Sequence, residues 1–204
     1  MADKVKLEYS SGGGDFAPHS EGTHAMVVVD AIDMGFRIKD YPGTPASIQP
    51  FMAVVWASGE RNTKGELITV SRYYSNSMHK KAALRQALEA MRGKSYTDEQ
   101  AAKAARDPDL FSKLEGFPCL VTVEHKASDD GDRTWGRVTN LSPLPKALPS
   151  PVSACADYVR GDYWEERKTK YLEEVKKFQG DGPPAVGLDE MPPELEQPSD
   201  DLPF

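Results

Sequence analysis

Four short stretches of the chain set an aromatic ring beside a cation. Phe36 and Arg37 are followed by Lys39 and Tyr41. Trp56 precedes Arg61 and Lys64. Arg72 adjoins Tyr73 and Tyr74 and leads to Lys80 and Lys81. Trp135 and Arg137 fall on one face of an alternating stretch. This mixture is what a single-stranded nucleic acid requires: cations neutralise phosphates while aromatic faces stack on bases, each stacked base contributing about 1–3 kcal/mol. Every member also has a plainer role. Trp56 can point inward, and Phe51 reads as core. Tyr73 and Tyr74 alternate, so only one faces a groove unless the strand has ended. Arg85 and Arg92 suit the solvated face of a helix. The set carries the signal, and these fourteen residues are the candidate nucleic-acid site.

Other chemistry finds little support. There is no Gly-x4-Gly-Lys-Ser/Thr loop for phosphate binding, and the Gly12–Gly14 triplet lacks the lysine and helix that would make one. His19, His24, His79 and His125 have no cysteine pair at zinc-site spacing. Pro118-Cys119 lacks the second cysteine of a zinc deaminase. Asp129, Asp130 and Asp132 surround Gly131 and read as a polar turn. Glu124 and Asp30 are not set apart from ordinary strand residues as a nuclease pair would be. The expectation is a protein without catalytic residues, cofactor or metal.

The candidates need strands to hold them. Residues 1–22 are polar and read as a flexible lead-in. Met26-Val27-Val28-Val29 opens a first strand from Thr23 to Ile38, with a bulge or bend at Gly35. Tyr41 to Pro45 is a loop, Phe51 to Trp56 a second strand, Gly59 to Gly65 a turn, and Leu67 to Tyr74 a third strand. A helix follows, capped by Asn76 or Ser77, with Leu84, Leu88 and Met91 at helical spacing and Gly93 as its stop. Thr97 and Gln100 have capping-box spacing for a second helix that ends at Pro108. Cys119 to Val123 and Thr134 to Leu141 are the last two strands. Three strands, a helical insertion and two strands is the order of a five-stranded OB-fold barrel, in a mainly β chain of α+β class. In such a barrel strands two and three and the neighbouring loops contact nucleic acid, which is where the candidates cluster. A generic α+β sandwich is the rival architecture.

Beyond the barrel domain of residues 23–149, Pro143 to Pro151 holds four prolines and reads as a spacer. Residues 157–179, within a segment spanning 150–180, form an amphipathic helix. Its Trp164, Tyr171, Leu172, Val175 and Phe178 recur at helical spacing, to pack on the barrel or on a second copy of the chain. From Gly180 the chain has six prolines and no basic residue, a composition expected to be disordered.

Charge is divided along the chain. Net charge is −7, and residues 181–204 alone hold seven acidic residues. The remainder is neutral, yet residues 60–94 hold eight basic residues against three acidic ones. A basic patch beside an acidic arm suits a nucleic-acid binder. The chain has no apolar stretch of membrane length and no signal-peptide core, so an intracellular, cytoplasmic protein is expected, with Cys119 and Cys155 as free thiols.

The acidic arm closes on Asp200-Asp201-Leu202-Pro203-Phe204. A terminal Phe offers a ring and a carboxylate to a basic-rimmed pocket, Leu202 adds an apolar anchor, Pro203 stiffens the approach, and the aspartates steer by charge. This ending resembles the C-terminal tip of bacterial single-stranded DNA-binding proteins, whose members end in an acidic run, an aliphatic residue, Pro and Phe. The resemblance covers the last five residues. Here the acidic run is shortened to two aspartates, and Leu202 stands where Ile is common. It implies a docking peptide for replication, recombination and repair proteins, and a tail that can compete with DNA for the protein's own basic groove. The long insertion at 77–114 and the helix before the tail look more like the divergent single-stranded DNA-binding proteins of tailed bacteriophages, which join an OB-fold to an acidic tail ending in Phe. A phage-encoded protein would act in the cytoplasm of the bacterial host.

The expected function is therefore binding and protection of single-stranded DNA, largely without sequence preference, with partners recruited through residues 200–204. The alternatives are a strand-annealing recombination factor, and an adaptor or decoy that mimics the host tip.

Overall fold

The computed structural model describes residues 18–127, 134–152 and 156–181, apart from the side chains of Tyr41 and Asp181. Residues 1–17 of the polar lead-in, the 129–132 turn, Cys155 and the acidic arm beyond Asp181 lie outside the described residues; the end of the lead-in is held on the sheet, with His19 buried and bonded to Ser58, and Ser20 bonded to Glu60.

Five strands form one antiparallel sheet: β1 (Gly22–Tyr41), β2 (Thr44–Arg61), β3 (Leu67–Ser75), β4 (Pro118–Ala127) and β5 (Thr134–Pro143), in the order β3-β2-β1-β4-β5. The long β1 makes this order possible. Its first residues, Gly22–Val27, pair with β4, while Val27 onward pairs with β2. Its register with β2 shifts between Val28 and Asp30 and again between Asp33 and Phe36. At the second shift Gly35 has φ 74 and its N–H donates to Asp33 Oδ1 at 2.9 Å, so the expected bulge sits where the glycine allows it.

β2 is much longer than its apolar run. Pro45, Ser47, Gln49 and Pro50 interrupt the hydrophobic pattern, but Ser47, Gln49 and Pro50 pair with β1, and after a register shift past Pro45 the ladder reaches Tyr41↔Thr44. The expected loop shrinks to a turn at Pro42-Gly43, where Gly43 has φ 85. Residues 36–50 thus form a two-stranded arm, since β4 has left β1 by then and β3 meets β2 only from Phe51.

Helices cover both faces. α1 (Ala83–Arg92), α2 (Asp98–Ala105) and α3 (Leu110–Leu114) follow β3, and α4 (Tyr163–Asp181) ends the described chain. On the inner face, Met52, Val54 and Trp56 of β2 meet Met26 and Val28 of β1, Val121 of β4 and Val138 of β5, closed by Leu84, Leu88 and Met91 of α1. Each fully buried side chain of this kind contributes about 1.5–3 kcal/mol. On the outer face, Ile32, Met34, Phe51, Ala53 and Val55 pack against Trp164 of α4.

Three helix boundaries differ from expectation. Asn76 and Ser77 do not cap α1, which begins after Ala82 without a side-chain cap. Ser77 Oγ and His79 Nδ1 instead accept from the backbones of His79 and Lys81, serving the turn before the helix. The capping box at Thr97 and Gln100 forms, both bonds at 3.2 Å. Pro108 ends α2's run, but α3 restarts after it. α4 begins six residues after the expected start at 157, because the lead-in is pinned to the sheet: Arg160 Nε and the Tyr158 hydroxyl donate to Asp30 Oδ2 at 2.8 and 3.0 Å.

The sheet is open. β3 and β5 are its edges, and no ladder joins them. They approach at one seam, where Arg72 Nη1 donates to Val138 O at 3.4 Å. No helix among the described residues is long and apolar enough to cross a membrane.

Candidate nucleic-acid interface

The strand parities decide which candidate rings are available. Val70 and Tyr74 of β3 are four apart and share the inner face, so Tyr74 is buried among core side chains while Tyr73 points outward. Burial pushes the Tyr74 phenol up to about 12, and its hydroxyl has no hydrogen-bond partner. Trp56 follows Met52 and Val54 inward and is wholly buried. Trp56 and Tyr74 are core residues in this fold and have no exposed face for a base. The open choice at each position resolves in favour of packing, because alternation on β2 and β3 leaves no other place for them.

Tyr73 does point outward, yet α4 covers it. Its ring centroid lies 5.9 Å from that of Phe51 and 6.2 Å from that of Trp164, and Arg167 Nη1 donates to its hydroxyl at 2.7 Å. Phe51 meets Tyr171 edge-on at 4.9 Å. Arg37 lies over the Phe51 ring at 5.0 Å, its Nε buried with no hydrogen-bond partner. The middle of the β2–β3 outer face, where an open barrel would offer its binding surface, is therefore an aromatic interlayer between sheet and helix.

What stays exposed lies around that cover. Phe36, beside the bulge at Gly35, is 53% exposed on the arm, whereas Lys39, three residues further along β1, is half-buried and falls on the opposite face of the strand. Trp135 is 39% exposed on β5, and Arg137 is exposed on the same face. Lys126 pairs with Trp135 across the β4–β5 ladder and holds its Nζ 6.0 Å from the ring centroid. Lys126 was not among the candidates. Counting outward from the 129–132 turn would have placed it opposite Trp135. Arg72 stands at the β3–β5 seam, its guanidinium 5.3 Å from the Tyr74 ring centroid and its side chain reaching solvent.

Several cations of the 60–94 stretch are engaged elsewhere. Arg61 Nη2 bonds Asp157 at 2.6 Å, and Lys80 bonds Asp98 at 3.1 Å. Arg85 is buried, donating to Glu89, to Met78 O and to Tyr96 O. It is a structural centre of the helical insertion, a role that its place on the buried side of α1 imposes. Lys64 and Lys81 are exposed on turns. Tyr41 pairs with Thr44 at the arm's tip.

The α4 stripe divides. Trp164 is buried against the protein's own sheet and Val175 is buried too, whereas Leu172 and Phe178 are exposed. Asp200, Asp201, Leu202, Pro203 and Phe204 lie outside the described residues. Among the described residues no group of three or more His, Cys, Asp or Glu side chains is arranged to hold a metal ion. No protein-family model matches the chain, and no curated protein matches it.

Proposed function

We propose that this chain is a non-enzymatic single-stranded DNA-binding protein that coats exposed strands and recruits partners through residues 200–204. The observation that carries the reading is the exposed Trp135 with Lys126 and Arg137 on the β4–β5 hairpin, outside the α4 cover, together with the exposed ring of Phe36 on the arm. An exposed Trp or Phe on a strand serves no core, and a cation beside it matches the stacking-plus-phosphate pattern of single-strand binders. The order β3-β2-β1-β4-β5 is that of an OB-fold barrel opened at the β3–β5 seam, and that fold is part of the proposal. The strand would run from the arm past Arg72 to the β4–β5 hairpin, around α4.

The test is a titration of labelled oligo-dT at two salt concentrations. Binding should weaken steeply with salt as counterions are released. Phe36→Ala and Trp135→Ala should each weaken it by about 5- to 150-fold, the equivalent of about 1–3 kcal/mol per lost stack. An absence of binding at low salt, or equal binding by both variants and the parent, would overturn the proposal.

A further inference from the structure

The three helices of the insertion enclose a cleft of about 370 Å³ with an apolar floor formed by Leu88, Met91, Leu114 and Phe117. That volume lies at the small end of ligand pockets, enough for one or two side chains of a peptide. Its rim is basic: Arg92, Lys103 and Lys113 against one carboxylate, Asp107. Lys113 already holds Asp107 at 2.6 Å, and Arg92 lies 4.2 Å over the Tyr96 ring, while Lys103 makes no ion pair among the described residues. The cleft lies apart from the exposed ring–cation pairs, and the proposed function gives it no role.

One segment of the chain complements it. Asp200-Asp201-Leu202-Pro203-Phe204 places two carboxylates directly before two apolar side chains, the second of them aromatic. The segment belongs to an arm that carries seven acidic residues and no basic one, so a basic rim attracts it over its whole length. Reach is no obstacle. The 23 residues after Asp181 span at most about 80 Å, against a diameter of about 40 Å for a domain of this size.

We propose that the cleft between α1, α2 and α3 is a holding site for the chain's own segment 200–204, with Leu202 and Phe204 on the floor and the aspartates at the Lys103 side of the rim. Tethering sets an effective concentration of about a millimolar. A site that binds the free peptide only weakly is thus occupied in the intact chain, and a competing partner pocket of ordinary affinity empties it. The proposal is independent of nucleic-acid binding.

The experiment compares amide NMR spectra of the full chain and of its Leu202→Ser/Phe204→Ser variant, without DNA. The shifts that differ should map to Leu88, Met91, Lys103 and Leu114, at all protein concentrations. A synthetic peptide of residues 197–204, titrated into the variant, should return those resonances to their full-chain positions. Lys103→Gln in the same background should weaken the peptide by about 1.4- to 5-fold, the loss of one exposed ion pair. Unchanged α1–α3 resonances would overturn the proposal, as would shifts that map to Phe36 and Trp135 instead. Shifts that grow with protein concentration would also overturn it, because they place the segment on a second copy.

Discussion

Arg160→Met should destabilise the protein more than Asp30→Asn, although both break the same ion pair. Asp30 is 2% exposed, and its carboxylate receives both Arg160 donors and the Tyr158 hydroxyl. The Arg160 side chain is 44% exposed. Removing the cation leaves a buried carboxylate charge with one hydroxyl for company, a loss of about 3–5 kcal/mol. Replacing Asp30 with Asn keeps the volume and leaves a guanidinium free to turn toward water. The loss is then that of charge-assisted hydrogen bonds, about 1.5–3 kcal/mol, and solvent screening at the exposed arginine puts it near the lower end. A difference of about 1.5 kcal/mol at a urea slope near 2 kcal/mol per M separates the midpoints by about 0.7 M. Urea unfolding followed by circular dichroism and by tryptophan emission, to which Trp56, Trp135 and Trp164 all contribute, measures it. The double variant should cost less than the two singles together. Equal midpoints, or a lower one for Asp30→Asn, would refute the reasoning, because the buried group would not then be carrying a charge that needs Arg160.

Gly93 ends α1 at φ 66, and a Cβ there would lie 2.6 Å from Pro143 Cγ on β5. Gly93→Ala should therefore lower the stability, read by urea unfolding, by more than the about 1–2 kcal/mol of left-handed strain, and adding Pro143→Ala should recover the excess. Burial pushes the Cys119 thiol up to about 12, so a disulfide reagent at pH 8 should leave it unmodified in native protein and modify it in guanidinium, read by peptide mass. His19 is buried with Nε2 2.7 Å from Ser58 Oγ, and desolvation holds its pKa below 6.5. The unfolded chain then takes up a proton first. Stability from this site is present above pH 6.5 and lost as pH falls from there toward the depressed folded value. Melting at pH 7.5 and 5.5 should show a larger drop for the parent than for His19→Gln, and equal drops would contradict the buried neutral imidazole.

Much of the fold was legible because local rules act alone at those places. The Met26–Val29 run, the glycine at the bulge, the capping box at Thr97 and the stop at Gly93 each depend on a few neighbouring residues. The extent of β2 was not legible, since Pro45 and Pro50 speak against a strand and only the partner backbone of β1 makes it one. Trp56 and Tyr74 were legible in part: the parity they share with Val54 and Val70 points both inward, and it outweighs the neighbouring cations that suggested a site. The position of α4 was beyond reach. Nothing in the Trp164 stripe says which face it covers, and the anchor that decides it, Asp30 with Arg160, joins residues 130 apart in the chain.

Ion pairing also changes what the charge pattern means. Eight basic residues in 60–94 suggest a cationic patch, but the fold spends three of them on carboxylates that the sequence places elsewhere or on the same helix. Arg61 meets Asp157, Lys80 meets Asp98, and Arg85 meets Glu89. Local charge density is therefore a poor guide to the field a ligand meets, because a chain that is neutral over residues 1–180 can fold so that its partners find each other. The α4 cover treats the aromatic residues the same way, placing Phe51 and Tyr73 in an interlayer. Both selections leave Phe36 on the arm, Arg72 at the seam and Trp135 with Arg137 on the β4–β5 hairpin among the candidates that still face solvent. A binding surface made of these parts is a rim around a helix and not a groove. On the proposed function, it favours a strand that touches the protein at separated points, which makes Phe36 and Trp135 the pair whose simultaneous loss weighs most in oligo-dT binding.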